Sequence, residues 1–107
     1  MGTMQRRKGG VGQRAFKRLL TDRDWMVDTI SCGIKSEDLI AENPLGTRYS
    51  VEVKNHAIIN IRSFLSQAKE QAMKRKLPWM LAVRLPQFAN SWLVCIQGEE
   101  PIIWNGK

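Results

Sequence analysis

At 107 residues the chain has room for one domain with one modest core, burying about 60–65% of its unfolded surface, so a multi-domain organisation is not expected. A hydrophobic share of 43% and a charged share of 25% are ordinary for a globular protein and argue against disorder away from the ends. The formal net charge of +7 calls for a polyanionic partner. No apolar run approaches the ~20 residues of a membrane span and no charged-then-apolar leader opens the sequence, so a cytoplasmic setting without a membrane partner is expected.

Residues 1–8 read as a flexible basic arm, and residues 9–107 as the single domain, with Gly9 and Gly10 loosening the approach to the first helix. From Val11 to about Asp22, Ala15, Phe16, Leu19 and Leu20 recur at helical spacing, while Arg14, Lys17 and Arg18 fall largely on the other side. Together with Arg6, Arg7 and Lys8 they make an acid-free basic stretch, which suits the phosphates of a nucleic acid better than a membrane surface. A basic tail kept for solubility is the plainer alternative. Gln13 sits at the border of the helix, between core and solvent.

Trp25–Ile30 reads as the first strand, followed by a loop over 31–35 that ends on another cation, Lys35. A second strand over Ser36–Ala41, the turn-forming Asn43-Pro44-Leu45-Gly46 and a third strand over Tyr49–Lys54 predict a hairpin. Val51 and Val53 alternate with Ser50, Glu52 and Lys54, so the valines face the core and the polar residues share the opposite face. The hairpin brings Asp38 beside Glu52, and two close carboxylates repel unless a proton or a hard cation lies between them. Lys54 adds a charge able to contact a phosphate or position a water. Taken alone, a Glu-x-Lys triplet on a strand is more commonly a solvated ion pair.

Asn60 predicts a helix cap, with an apolar stripe at Ile61, Phe64, Leu65, Ala68 and Ala72 and an end no later than Pro78. Gln67 flanks that stripe, and Lys74, Arg75 and Lys76 form a second basic cluster at the helix end. Buried-type strands are predicted over Trp79–Val83 and Ser91–Ile96, with an added edge strand at Pro101–Trp104. Trp25, Trp79 and Trp92 fit the core, while Trp104 is left open. Cys32 and Cys95 are far apart without a Cys-x-x-Cys partner, so neither a zinc site nor a disulfide framework is expected. His56, the one histidine, is not assigned to the site.

Asp38 followed by apolar residues, then Glu52-Val53-Lys54, resembles the PD-(D/E)XK nuclease motif. Lys8-Gly9, Gln13-Arg14 and Gln67-Ala68 extend the likeness to the archaeal-type Holliday junction resolvases, over roughly residues 8–95. The resemblance implies an α/β protein of restriction-endonuclease-like fold, a central mixed sheet flanked by helices. It implies a magnesium-dependent endodeoxyribonuclease, with manganese as a substitute, that cuts branched DNA as a homodimer. In that scheme Asp38, Glu52 and the Val53 carbonyl hold metal, Lys54 orients the attacking water, Gln67 completes the catalytic set, and Ser31 or Ser36 matches a serine near the site. Two positions depart from the pattern: Gln13 stands where the resolvases usually carry a metal-binding glutamate, and Glu37 replaces the proline of the short motif. The first leaves the number of metal ions open. Alternatives are another PD-(D/E)XK nuclease acting on flaps, single strands or duplex, a non-cleaving basic nucleic-acid-binding module, and an RNA-binding protein of the translational machinery. Phe88, Trp92, Ile102, Ile103 and Trp104 are the candidate apolar residues for a dimer interface.

Overall fold

The computed structural model describes residues 2–31, 37–55, 59–85 and 91–105, with side chains described over 12–28, 39–55, 59–85 and 91–105. Its elements are α1 (Gly2–Asp22), β1 (Met26–Ser31), β2 (Glu37–Glu42), β3 (Arg48–Lys54), α2 (Ile61–Arg75), β4 (Trp79–Arg84), β5 (Ser91–Ile96) and β6 (Ile102–Asn105). The strands form one six-stranded sheet in sequential order. Every neighbouring pair is antiparallel except β3 and β4, which run parallel, so the sheet is mixed. This is an α/β architecture with one helix on each face.

Strand alternation separates the two faces. Leu39, Ala41, Tyr49, Val51, Met80, Ala82, Trp92, Val94 and Trp104 build the cluster beneath Phe16 and Leu20 of α1. Leu81, Val83 and Cys95 point the other way, against Phe64 and Ala68 of α2. Phe16 and Leu20 are fully buried. The Phe16 ring lies 5.0 Å from that of Trp92 and 5.9 Å from that of Trp104, so the first helix is seated on aromatic rings from the last two strands. Trp104 is therefore core, and Arg23 lies over its ring at 4.4 Å.

The turns form where short polar side chains offer the backbone partners. Asn43 Oδ1 accepts from the backbone N–H groups of Leu45 and Thr47, at 3.0 and 2.9 Å, and Gly46 takes the left-handed conformation that closes the turn, with φ of 90°. Asn60 caps α2 by accepting from Ser63 N–H at 3.2 Å. The other end closes on Lys76, left-handed at φ 58°, whose N–H returns to the carbonyls of Ala72 and Met73.

Two expectations need correction here. The first helix begins at Gly2 rather than near Val11, and so continues through the segment read as a basic arm. Glycine costs a helix about 1 kcal/mol relative to alanine but does not stop it, and Met, Gln, Arg and Lys upstream of Gly9 are good helix formers. The proposed interface set also fails in part: Trp92 and Trp104 are 2% and 7% exposed and spent on α1, while Ile102 and Ile103 remain about half exposed. Phe88 lies outside the described residues.

Gly12 marks the closest approach of α1 to the sheet, since a Cβ there would sit 2.7 Å from Asn55 Cβ. Gly12→Ala gains helix propensity but forces α1 and the end of β3 apart, and overpacking of this kind costs about 1–3 kcal/mol. A net loss of about 1 kcal/mol or more in urea unfolding is expected. A more stable variant would show that the helix does not pack this tightly.

Candidate functional site

The parallel pairing of β3 with β4 decides where polar groups collect. Lys54 pairs with Val83, so both strands end at the same end of the sheet, and α2 must start there to cross back. β2 is antiparallel to β3 and therefore begins at that end, with Leu39 opposite Val51 as the last paired position before Asp38 and Glu52. β1 finishes there too, with Ser31 opposite Glu37. The contact of Gly12 with Asn55 brings α1 to the same end, and the helix continues past it toward Gly2. Crevices outside the carboxyl ends of strands are where open α/β sheets commonly bind ligands.

On this end, Glu52 and Lys54 share the α2-facing side of β3 with Ser50, opposite Val51 and Val53 of the α1-side core. The Lys54 ammonium lies 3.1 Å from Glu52 Oε2, with side-chain exposures of 16% and 22%, which leaves the pair shielded yet reachable. The same ammonium sits 5.5 Å from the centre of the Phe64 ring, near the start of α2. At the far end of the strand, Arg75 Nη1 donates to the buried Ser50 hydroxyl at 3.1 Å. The helix is thus fastened to β3 at both ends, between which the small Ala68 and Ala72 lie buried.

The position of Asp38 in β2 is one step beyond the Leu39–Val51 pair, on the alternation that Glu52 follows, and its side chain lies outside the described residues. Lys35, Ser36, Cys32 and His56 lie outside them altogether. Among the described residues no group of three or more His, Cys, Asp and Glu side chains comes together. The described carboxylate at this end is that of Glu52, an oxygen donor. Oxygen donors of this kind suit a hard divalent cation better than a soft metal.

Gln13 is half-buried on α1, one residue after the Gly12 contact with Asn55, and so lies at the correct end but on the opposite face of the sheet from Glu52. Gln67 is exposed on α2, three residues after Phe64, and lines a shallow depression with Asn60, Arg62, Ser63 and Ser66. Arg62, missed in the sequence, stands exposed beside the α2 N-terminus. Arg84, also missed, ends β4 immediately after the partner of Lys54, on the Trp92 side of the sheet. The parallel register finds Arg84, because it aligns the strand ends, and Arg62 follows from the exit of β3 into α2; charge clustering along the chain passes over both.

The basic regions divide. Arg14, Lys17 and Arg18 are exposed on α1, with the sheet between that helix and Glu52. Arg6, Arg7 and Lys8 occupy the turns of α1 before Gly12, about 6–9 Å further along the axis at 1.5 Å per residue, beyond the Lys54 end. Lys74 and Lys76 are exposed at the opposite end, beside the start of β4, and Arg75 is turned inward to Ser50. The α2 cluster and the Lys54 end are therefore at opposite ends of the sheet. Crossing from β3 to β4, α2 carries its last turn away from Lys54.

Burial pushes the Cys95 thiol up in pKa, which keeps it protonated and unreactive at neutral pH and agrees with a core role. No family model matches the chain, and neither does any curated protein or solved structure.

The Glu52–Lys54 pair yields a direct test. Glu52→Gln and Lys54→Met should each cost about 1–2 kcal/mol in urea unfolding by leaving a shielded charge unpaired, and the double variant less than the sum, with a coupling of about 1 kcal/mol. Strict additivity would mean that the two groups do not meet in solution.

Proposed function

We propose that the protein is a magnesium-dependent endodeoxyribonuclease of PD-(D/E)XK type, with the restriction-endonuclease-like form of the α/β fold. The observation that carries this reading is the gathering of Glu52, Lys54 and the Asp38 position at one end of the β2–β3 pair, on the face toward α2. The order of elements, helix, three antiparallel strands, helix and then a parallel strand, supports the fold half of the proposal.

In this reading Asp38, Glu52 and the Val53 carbonyl hold the cation, which supplies Lewis acidity to the scissile phosphate when bound. Lys54 holds the attacking water or a phosphate oxygen with its ammonium. The water gives up a proton to bulk solvent as its oxygen bonds to phosphorus, the ester bond on the opposite side breaks, and the leaving oxygen takes a proton from solvent. Arg62 and the α2 N-terminus favour the neighbouring phosphates. The acid-free stretch of α1 contributes sequence-independent affinity, with Arg6, Arg7 and Lys8 in the turns beyond the Lys54 end and Arg14, Lys17 and Arg18 available to a separate segment of nucleic acid. Cations on two sides of the molecule suit a branched substrate better than one straight duplex.

Two symmetric cuts in a junction call for two copies, and the half-exposed Ile102 and Ile103 on edge strand β6 are the residues we assign to their contact. Sedimentation at micromolar concentration should then show a species of twice 12.3 kDa, and a lone monomer boundary counts against the dimer.

A second reading, a nucleic-acid-binding module that does not cleave, is favoured by one observation: Lys54 and Glu52 form an ion pair with each other at 3.1 Å. Incubation of a four-way junction, a flap, a single strand and a linear duplex with the protein in magnesium and in manganese separates the two. Paired nicks in the junction that vanish with a chelator and with Lys54→Ala are expected. Cutting that survives either treatment overturns the proposed site, and equal cutting of linear duplex overturns only the junction preference.

A further inference from the structure

The Lys54 ammonium has two neighbours that differ in kind. One is the Glu52 carboxylate at 3.1 Å, and the other is the ring of Phe64 at 5.5 Å from its centre. With a side-chain exposure of 16%, Lys54 has lost much of the water that would otherwise steady its charge, so these two contacts hold it. Glu52 is also the described carboxylate that the proposed reaction requires as a cation ligand. Once its oxygens are drawn to a divalent ion, their hold on Lys54 weakens, and two positive charges then compete for one carboxylate. The ring is under no such competition.

From this we infer that Phe64 is a positioning residue, which keeps the Lys54 ammonium at the site when Glu52 is engaged elsewhere. The inference rests on the nuclease reading. The ring is 7% exposed and is wedged in the α2-side core by Ala68, Leu81, Val83 and Cys95, so its face cannot swing away from Lys54. The backbone beneath it is fixed as well: Phe64 N–H donates to the Asn60 carbonyl at 3.0 Å, in the first turn of a helix capped by the Asn60 side chain. The α2 N-terminus thereby sets the position of a charge on β3 through an aromatic face rather than a hydrogen bond. Such a contact fixes where the ammonium sits and leaves its N–H groups directed toward whatever lies in front of the site. A leucine fills a similar core volume but offers no negative face, whereas tyrosine offers both.

Two measurements test the inference. In the protein without metal or DNA, ring currents should move the Lys54 Cε proton resonances upfield, and Phe64→Leu should return them to ordinary lysine values. In the junction-nicking assay with magnesium, Phe64→Leu should lower kcat about ten- to a hundredfold with little change in KM for DNA, because misplacing a catalytic group by about 1 Å costs that much. Phe64→Tyr should keep kcat close to that of the wild type, which simple core packing would not require. Unshifted Lys54 resonances in the wild type overturn the contact even if the leucine variant fails to fold. A folded leucine variant with full kcat overturns the role. If the wild-type protein makes no nicks, or Lys54→Ala still cuts, the nuclease reading falls and the catalytic role of Phe64 falls with it, while the resonance shift still decides whether the ring holds the ammonium.

Discussion

Parallel strands cannot be joined by a tight turn. Between Lys54 and Trp79 the chain must climb back over the sheet, and α2 is the element that carries it. Because that single parallel ladder lies in the middle of an otherwise antiparallel sheet, its two C-terminal ends, the start of the crossover helix and the start of β2 all meet at one end. The antiparallel β2–β3 pairing sets the Asp38 position beside Glu52 and Lys54, while the return of α2 across this face is a consequence of the parallel one. So is the location of Lys74 and Lys76, which the crossover carries to the opposite end.

The electrostatics of the site follow from how the β3 residues are shared between two cores. Odd-numbered valines belong to the α1 side, and even-numbered polar residues are pressed against α2. A lysine and a glutamate on the same face of a strand would normally be loosely solvated, but Phe64 and the strand end restrict their water. That shielding gives the pair chemical interest, since an exposed pair of this kind contributes little. The two fastenings of α2, at Ser50 and at Lys54, leave the polar face of β3 with little freedom to shift beneath the helix.

Much of this was legible in the sequence where local chemistry and the hydrophobic period agreed. Asn43-Pro44-Leu45-Gly46 announces its turn, Asn60 its cap, and the valine alternation its two-faced strand; the boundaries of β5 match as well. The failures share a cause. Gly9 and Gly10 suggested a break because glycine is locally permissive, yet the helix runs through them. Trp92 and Trp104 looked available for a partner because nothing in their neighbourhood along the chain reveals that Phe16 covers them. Arg75 counted with its neighbours as a surface cation, and only the packing of α2 on β3 shows that Ser50 receives it. The distribution of positive charge between the two faces and the two ends is a property of topology, and no count of lysines and arginines along a chain contains it.

Phe16 comes from the first helix and Trp104 from the last strand, and their rings stack with planes 16° apart. The α1-side core therefore has no complete floor until β6 has been made. A nascent chain that already holds α1 and the β1–β3 meander carries Phe16 and Leu20 with part of their apolar surface uncovered. Closing a loop that spans nearly the whole domain is entropically costly and kinetically late. The seating of the first helix thus depends on the last strand.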